Sequence, residues 1–483
     1  MKIKVVLRVL AFICIIVSAA MLPSLLLSLY DRSIDAGAFA ISMSAGLIFS
    51  ALMLFYTRTS GQLTMGIRDG VGVTGFSWIL ASMIGALPYW FSGCVPSYTD
   101  AFFETMSGFT TTGATIFSEI EILPRGILLW RSLTHWMGGM GIIVLSLAVL
   151  PFLGVSGMAM YRAEVPGVTA GKVTPRLHQT AARLWGVYVF MTLTETVLLM
   201  FGGMTLFDAF CHSCSTIATG GFSTKNDSIA YFNSAYIEWV IIIFMFLSGV
   251  NFSLYFLIPK RKIREILADE ELRCYVKIIV TAALLATISF YVTGRAGKLL
   301  DTLRRTFFAV LSLMTTTGFV TENFDIWPEF CRFLFVTLMF IGASGGSTGG
   351  GFKVSRIQII YRQMKSDVWR LLHPRAVITP RMNGHPIPAS TISSTSSFLV
   401  MYLLLFVVST MITAAAGVDL LTSIGGVITC ISNVGPGLED LGAVKNFGWL
   451  PDIVKWLFSF CMLAGRLELF AVFLLFVPET YRT

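Results

Sequence analysis

Ten runs of predominantly apolar residues constrain this chain more than any other feature; they lie near 5–30, 36–56, 71–93, 126–153, 182–204, 235–258, 275–293, 329–360, 395–416 and 452–477. As an α-helix each run is long enough to cross a hydrocarbon layer of about 30 Å, which takes about 20 residues at about 1.5 Å apiece. Only 13% of the 483 residues are charged, about half the share found in a soluble domain. A soluble enzyme is therefore excluded, and the length of the chain counts helices of one membrane domain. The first run follows Lys2 and Lys4 and starts like the apolar part of a signal peptide, yet it continues to Tyr30 with no small-residue cleavage site. It reads as a retained span.

The basic residues set the orientation. With the N-terminus in the cytoplasm, about two thirds of the 35 Lys and Arg fall on the inward side, the longest inward connectors being 154–181 and 361–391. Both termini are then cytoplasmic. The net charge of +8 is spread over short connectors, with no basic face interleaved with aromatics, so it reports topology and not a nucleic-acid partner. The eight cysteines are scattered and mostly apolar in context; Cys211-His-Ser-Cys214 forms a CxxC but has no second ligand pair nearby. His135, His178, His212, His373 and His385 are dispersed, so no catalytic triad or metal set can be assembled from them. An enzyme with a bound cofactor is not expected.

Four shorter apolar stretches, near 101–112, 207–218, 303–317 and 420–432, are too short to span and are followed by Gly-containing turns. They belong to an internal repeat. Asp100-Ala-Phe-Phe-Glu-Thr-Met-Ser-Gly-Phe-Thr-Thr-Thr-Gly113 recurs as Asp208-Ala-Phe-Cys-His-Ser-Cys-Ser-Thr-Ile-Ala-Thr-Gly220. More degenerate copies end Met314-Thr-Thr-Thr-Gly318 and Ile431-Ser-Asn-Val-Gly435, with Asp301 and Asp419 near their starts. The chain thus divides into two N-terminal transmembrane helices (1–69) and four units of helix, pore loop and helix (70–180, 181–271, 272–391 and 392–483). The expected class is an all-α polytopic membrane protein.

Irregular backbone at membrane depth must be buried in protein or line a watery cavity, because lipid cannot satisfy its polar groups. Four such turns converge naturally on one axis. An Asp at the start of each half-helix can cap its free N–H groups, and the C-terminal end aims partial negative charge at the axis, which favours cations. The turns can present successive carbonyls there from Thr111, Thr112 and Gly113, from Ala218, Thr219 and Gly220, from Thr316, Thr317 and Gly318, and from Asn433, Val434 and Gly435. Uncharged backbone oxygens suit a large monovalent ion, whereas a divalent one recruits carboxylates. Potassium is the ion expected at these residues. Close helix packing by small residues is the alternative for any single copy, but not for four in register.

Several motifs resemble the Trk/Ktr/HKT potassium transporters, and among them the bacterial TrkH/TrkG branch. They are Asp100-Ala-Phe-Phe-Glu104, Thr110-Thr-Thr-Gly-Ala114, His135-Trp-Met-Gly-Gly-Met-Gly141, Tyr161-Arg-Ala-Glu-Val-Pro-Gly167, Ile217-Ala-Thr-Gly-Gly-Phe222, Gly345-Gly-Ser-Thr-Gly-Gly-Gly-Phe-Lys353, Asn433-Val-Gly-Pro-Gly437 and Gly465-Arg-Leu-Glu468. The resemblance runs over nearly the whole chain. It implies a pseudo-fourfold core like that of a K⁺ channel, a homodimer in the bacterial inner membrane, and a separate cytosolic nucleotide-binding (RCK/KTN-type) regulatory subunit. The sequence departs from a strict repeat at Asn433-Val434 and at Ala218.

Gly342-Ala-Ser-Gly-Gly-Ser-Thr-Gly-Gly-Gly351 lies mid-span, where so many glycines should break the helix. It misses a nucleotide-binding P-loop because Phe352-Lys353 stand where Lys-Ser or Lys-Thr is needed. The resemblance implies an intramembrane gate built from Gly345, Gly346, Ser347, Thr348, Gly349, Gly350, Gly351 and Lys353 with Arg466; a packing kink is the plainer alternative. An arginine inside a span normally faces a cavity or a partner, and Glu468 or a carbonyl is the structural option. Gly138-Gly139, Gly249, Gly342 and Gly465 offer each inner helix either a bend or a close contact. Glu104, Glu119, Glu121, Asp227, Glu322, Asp325, Glu439 and Asp440 flank the outer turns, where they either enrich cations or are simply solvated. The rival mechanism is obligate H⁺- or Na⁺-coupled K⁺ symport, for which Glu195 is the candidate carrier.

Overall fold

A computed structural model describes residues 1–58, 66–141, 177–376 and 378–480. The Tyr161–Gly167 motif, most of the 154–181 connector and the end of the expected span 126–153 lie outside the described residues. The described residues are mostly helical, with irregular loops between helices and one two-stranded antiparallel hairpin, Arg381–Met382 with His385–Pro386.

Two leading helical segments, Ile3–Ala20 continued by Leu22–Tyr30, and Asp35–Tyr56, pack against the first repeat. Small residues permit the approach: a Cβ on Gly46 would lie 2.2 Å from Ser18 Oγ, and Ser50 Oγ donates to the Ala11 carbonyl at 2.8 Å. After them one order of elements occurs four times. An outer helix comes first (Ile67–Gly85, Leu177–Phe201, Glu270–Val292, Ala389–Ala415). A half-helix follows (Tyr98–Phe109, Leu206–Ile217, Leu299–Met314, Leu420–Ser432), then a turn and an inner helix (Arg125–Gly139, Ala235–Ser248, Glu329–Ile341, Asp452–Arg466).

Six helical stretches among the described residues are long and apolar enough to cross a membrane, and none is an inner helix. The expected spans 235–258, 329–360 and 452–477 are each interrupted. The inner helices have only 15, 14, 13 and 15 residues, about 20 Å of α-helix. Glycine does the interrupting, because the helices stop at Gly139, before Gly249 and Gly342, and just past Gly465. Each of these glycines also meets the C-terminal end of a half-helix or a neighbouring backbone. A Cβ on Gly138 would lie 1.8 Å from Phe109 O, and one on Gly465 1.9 Å from Ile431 O. The bend and the close contact are therefore one feature.

The half-helices depart from the expected capping. Asp100 and Asp208 sit in the first turn, not at the cap: Ser97 and Thr205 are the N-caps, each accepting from the Asp amide at 3.1 Å and donating to its carboxylate at 2.9 and 2.8 Å. Asp419 does cap its helix, accepting from the Leu421 and Thr422 amides. Lys298 precedes the third half-helix and offers no side-chain cap. Two hydrophobic cores result, one joining the leading helices to repeats one and four and the other joining repeats two and three. Phe340, Trp136 and Phe406 pack against both.

Candidate functional site: a ring of four turns above a glycine loop

All four half-helices end the same way. A residue of left-handed φ closes each: Thr111 (53°), Thr219 (54°) and Thr316 (61°), one past the C-cap, and Asn433 (56°), the C-cap itself. The next amide reaches back to close a six-residue loop, Thr112 N to Ser107 O, Gly220 N to Ser215 O, Thr317 N to Ser312 O and Val434 N to Thr429 O, at 2.8–3.0 Å. Two residues beyond each left-handed position comes a glycine of positive φ: Gly113, Gly221, Gly318 and Gly435.

This geometry corrects the second repeat by one residue. Gly221, and not Gly220, is the counterpart of Gly113, so the equivalent triplet is Thr219-Gly220-Gly221 in place of Ala218-Thr219-Gly220. Two adjacent glycines hid the register, because sequence spacing does not say which one takes the left-handed conformation. Ala218 belongs one step earlier, as the helix C-cap under Gly139.

The four turns close a ring. A Cβ on Gly113 would lie 2.1 Å from Gly220 O of the second turn, and one on Gly221 2.0 Å from Thr317 O of the third. Continuing round, a Cβ on Gly318 would lie 2.0 Å from Val434 O and one on Gly435 2.8 Å from Thr112 O. Each glycine thus touches a carbonyl of the next repeat, and the fourth returns to the first. Thr110 and Thr112 hydroxyls pair at 2.8 Å, Thr315 and Thr317 at 2.7 Å, and Asn433 Nδ2 donates to Thr112 Oγ1 at 2.9 Å and to Met462 O at 3.0 Å. These bonds engage the side chains of Thr112, Thr317 and Asn433. A polar cavity of about 150 Å³ opens on the ring from the side of the long outer loops, lined by all four positive-φ glycines.

Behind the ring stand buried charge pairs whose basic partners, Arg131 and Lys455, the sequence reading did not single out. Glu104 is fully buried, not an outer-mouth carboxylate; it accepts from Arg131 Nε at 2.8 Å and from the Ile116 amide at 2.9 Å. Arg131 continues to Ser223 O at 3.2 Å and lies over the Phe222 ring, tying turn one to turn two. Lys455 of the fourth inner helix donates to buried Asp100 Oδ1 at 2.6 Å. Their ionisable nature within apolar stretches was the signal. Of the remaining outer carboxylates, Glu121, Glu322, Glu439 and Asp440 pair with Lys225, Arg305, Arg332 and Lys445, so the rim holds few free negative charges.

On the other side of the ring, the third inner helix stops at Ile341 and the chain runs irregularly until Val354. This loop crosses directly under the half-helix ends. Thr348 Oγ1 donates to Ile217 O at 3.0 Å, the Gly350 amide donates to Thr316 Oγ1 at 2.6 Å, and Gly350 lies so close to Ser432 O that a Cβ would come within 2.1 Å. Arg466 completes the crossing by donating to Thr348 O at 2.8 Å and to Gly138 and Gly139 O of the first inner helix at 2.7 and 2.9 Å. Glu468, the alternative partner, pairs with Arg356. Lys353 donates to Gly349 O within the loop, Ser347 Oγ to Ser344 O, and Gly346 O accepts from the Phe252 amide at 3.0 Å. Gly346 through Gly351, Lys353 and Arg466 line a cavity of about 120 Å³, and Gly345 is held from outside by Glu271.

Over residues 35–481 the sequence matches the TrkH family, described as a cation transport protein. The chain belongs to the TrkH family. It is 38% identical over its full length, and theirs, to the "Trk system potassium uptake protein TrkH" of Halomonas elongata and of Salmonella typhimurium. It is 35% identical to the TrkG protein of Escherichia coli, covering 100% of this chain and 99% of that one. The crystal structure of the potassium transporter TrkH from Vibrio parahaemolyticus superimposes with a TM-score of 0.90 at 34% identity, each chain covered completely. A TrkH-family chain is a transport protein and not an enzyme, and its many apolar helices make it a multi-pass membrane protein.

Proposed function

We propose that this chain carries potassium into the bacterial cell through the ring of turns, with the Gly342–Lys353 loop and Arg466 as its gate. The closed circle of glycine-to-carbonyl approaches carries the reading. Backbone oxygens from four turns meet at one axis, none of the ring residues is charged, and the half-helices end there with their partial negative charge. An ion shedding water at these carbonyls loses little, while a divalent cation would want carboxylates. That homologues across several bacteria are named for potassium uptake supports the choice of ion.

Arg466 sets a positive charge, held by three carbonyls, in the path just beyond the ring, and the loop fills the same space. Conduction then requires the loop to move aside. The positive-inside pattern supports an inner-membrane orientation with both termini, and the loop side of the ring, toward the cytoplasm. A homodimer and a cytosolic nucleotide-binding subunit acting on the gate complete the reading.

Flux of K⁺ and Na⁺ through the purified protein in liposomes, with and without a pH gradient, tests it. Downhill K⁺ flux with no proton gradient, and loss of K⁺ preference in Gly113→Ser, are expected. One observation keeps coupled H⁺ symport as a second reading: Glu195 is fully buried and its carboxylate oxygens have no hydrogen-bond partner among the described residues, Thr216 lying alongside. Strict dependence on the gradient, abolished in Glu195→Gln, would establish symport instead.

A further inference from the structure

We infer that Glu271 is a positioning residue that latches the gate loop, and that the exposed hairpin at Arg381–Pro386 is the handle through which the latch is worked. The inference rests on the reading of Gly342–Lys353 as a gate. Glu271 opens the third outer helix and is buried to 8% exposure. Its Oε1 accepts from two amides, Gly345 N at 2.6 Å and Ser355 N at 3.2 Å. Gly345 enters the loop, and Ser355 belongs to the first turn of the helix Val354–Leu372 that leaves it.

One carboxylate therefore pinches together both ends of the loop. Ser355 N is also one of the N–H groups that a helix cannot satisfy internally, and Lys353, its N-cap, offers no side-chain bond. Glu271 supplies that missing cap from another helix, with a negative charge at the favourable end of the dipole. It reinforces a neck already closed by backbone bonds, Phe352 N to Phe340 O at 3.1 Å, Lys353 N to Ile341 O at 2.9 Å and Val354 N to Ala343 O at 3.0 Å. Of the side-chain holds on the loop, those from Thr316 and Arg466 act at its crest, and Glu271 adds one that reaches both ends.

The preceding residue faces the opposite way. Glu270 pairs with Arg362, two turns further along the same exit helix, and accepts from the Asn383 amide at 3.0 Å. Asn383 answers with Oδ1 on Glu270 N at 2.9 Å and Nδ2 on Asp269 Oδ2 at 3.0 Å. Asn383, Gly384, His385 and Pro386 are exposed, and Asn383 has left-handed φ of 48° at the hairpin tip. Adjacent carboxylates thus join an exposed hairpin to a buried loop through a single peptide unit. Displacement of the hairpin shifts the start of the helix and, with it, the carboxylate that holds the loop shut.

The test compares the full-length parent, Glu271→Gln, the exposed Asn383→Ala and Arg466→Ala, reading downhill K⁺ and Na⁺ flux in liposomes alongside amide hydrogen exchange over 340–358. Glu271→Gln keeps the shape but removes the charge that the two amides share. We expect faster exchange at Gly345 and Ser355 and K⁺ flux raised at least about tenfold with unchanged K⁺ over Na⁺ preference, Asn383→Ala shifting both in the same direction by less. Faster exchange with unchanged flux would make Glu271 a structural cap only, and flux lost together with ion preference would place its role in the fold of the ring; either overturns the inference. If Arg466→Ala raises flux while Glu271→Gln does not, the latch fails and the gate stands. If neither changes it, the gate reading itself fails.

Discussion

Three threonines with φ between 53° and 61° are the costly residues of this molecule, since a β-branched side chain is rarely found in the left-handed region. Such strain persists where the surroundings over-determine it, here through the back-bonded amides and the hydroxyl pairs around the ring. Asn433 takes the same conformation at lower cost, which gives a physical reason for the departure of the fourth turn from the threonine pattern. Asn433→Val should destabilise the protein by about 2 kcal/mol or more, through backbone strain and two lost hydrogen bonds, and Asn433→Gly by less; thermal unfolding in detergent measures the order. Gly220 and Gly221 supply a sharper contrast. A Cβ on Gly221 meets a backbone carbonyl at 2.0 Å in a backbone of positive φ, whereas one on Gly220 meets the His135 ring at 2.4 Å. Gly221→Ala should abolish K⁺ preference in the flux assay, and Gly220→Ala should retain more of it, because only Gly221 combines a positive φ with a clash against ring backbone. Equal loss in both would reject the corrected register.

Half-helix one is tied into the ring by the Glu104–Arg131 pair, both partners essentially fully buried. Breaking a buried pair by neutralising one partner costs about 3–5 kcal/mol, because the other charge is left without compensation. Glu104→Gln or Arg131→Gln alone should therefore lower the unfolding temperature sharply, and the double substitution should lower it by less than the sum; an additive double mutant would show that the two act independently. The inner helices carry a comparable constraint. Gly465→Ala places a methyl 1.9 Å from Ile431 O, so the end of the fourth half-helix must shift, and reduced K⁺ flux without loss of the folded protein is the expected outcome. A variant with unaltered flux would count against the packing of inner helix on half-helix as the support of the ring. At this scale the sequence was legible wherever length and periodicity spoke. It showed each half-helix to within a few residues, but it ran three inner helices on past Gly139, Gly249 and Gly465, since apolar composition continues after a helix has stopped.

Across the whole molecule the ring and the loop beneath it form one stack, held by half-helices two, three and four and by Arg466 reaching to the first inner helix. Arg466→Ala removes three charge-assisted hydrogen bonds and, on the proposed gating, a positive charge from the path, so it should raise K⁺ conduction several-fold at unchanged ion preference; slower flux would assign the arginine to the scaffold alone. Four repeats, two leading helices and a membrane location were present in the chain itself, because apolar length and recurrence are one-dimensional properties that burial in lipid makes obligatory. The glycine run announced a break in the third inner helix for the same reason. Tertiary structure alone decided the order of turns around the axis, the choice of Gly221 over Gly220, the burial of Glu104 and the grip of Glu271 on the loop. Each of these depends on which backbone groups from distant segments come within hydrogen-bond reach, and spacing along a sequence carries no such distance.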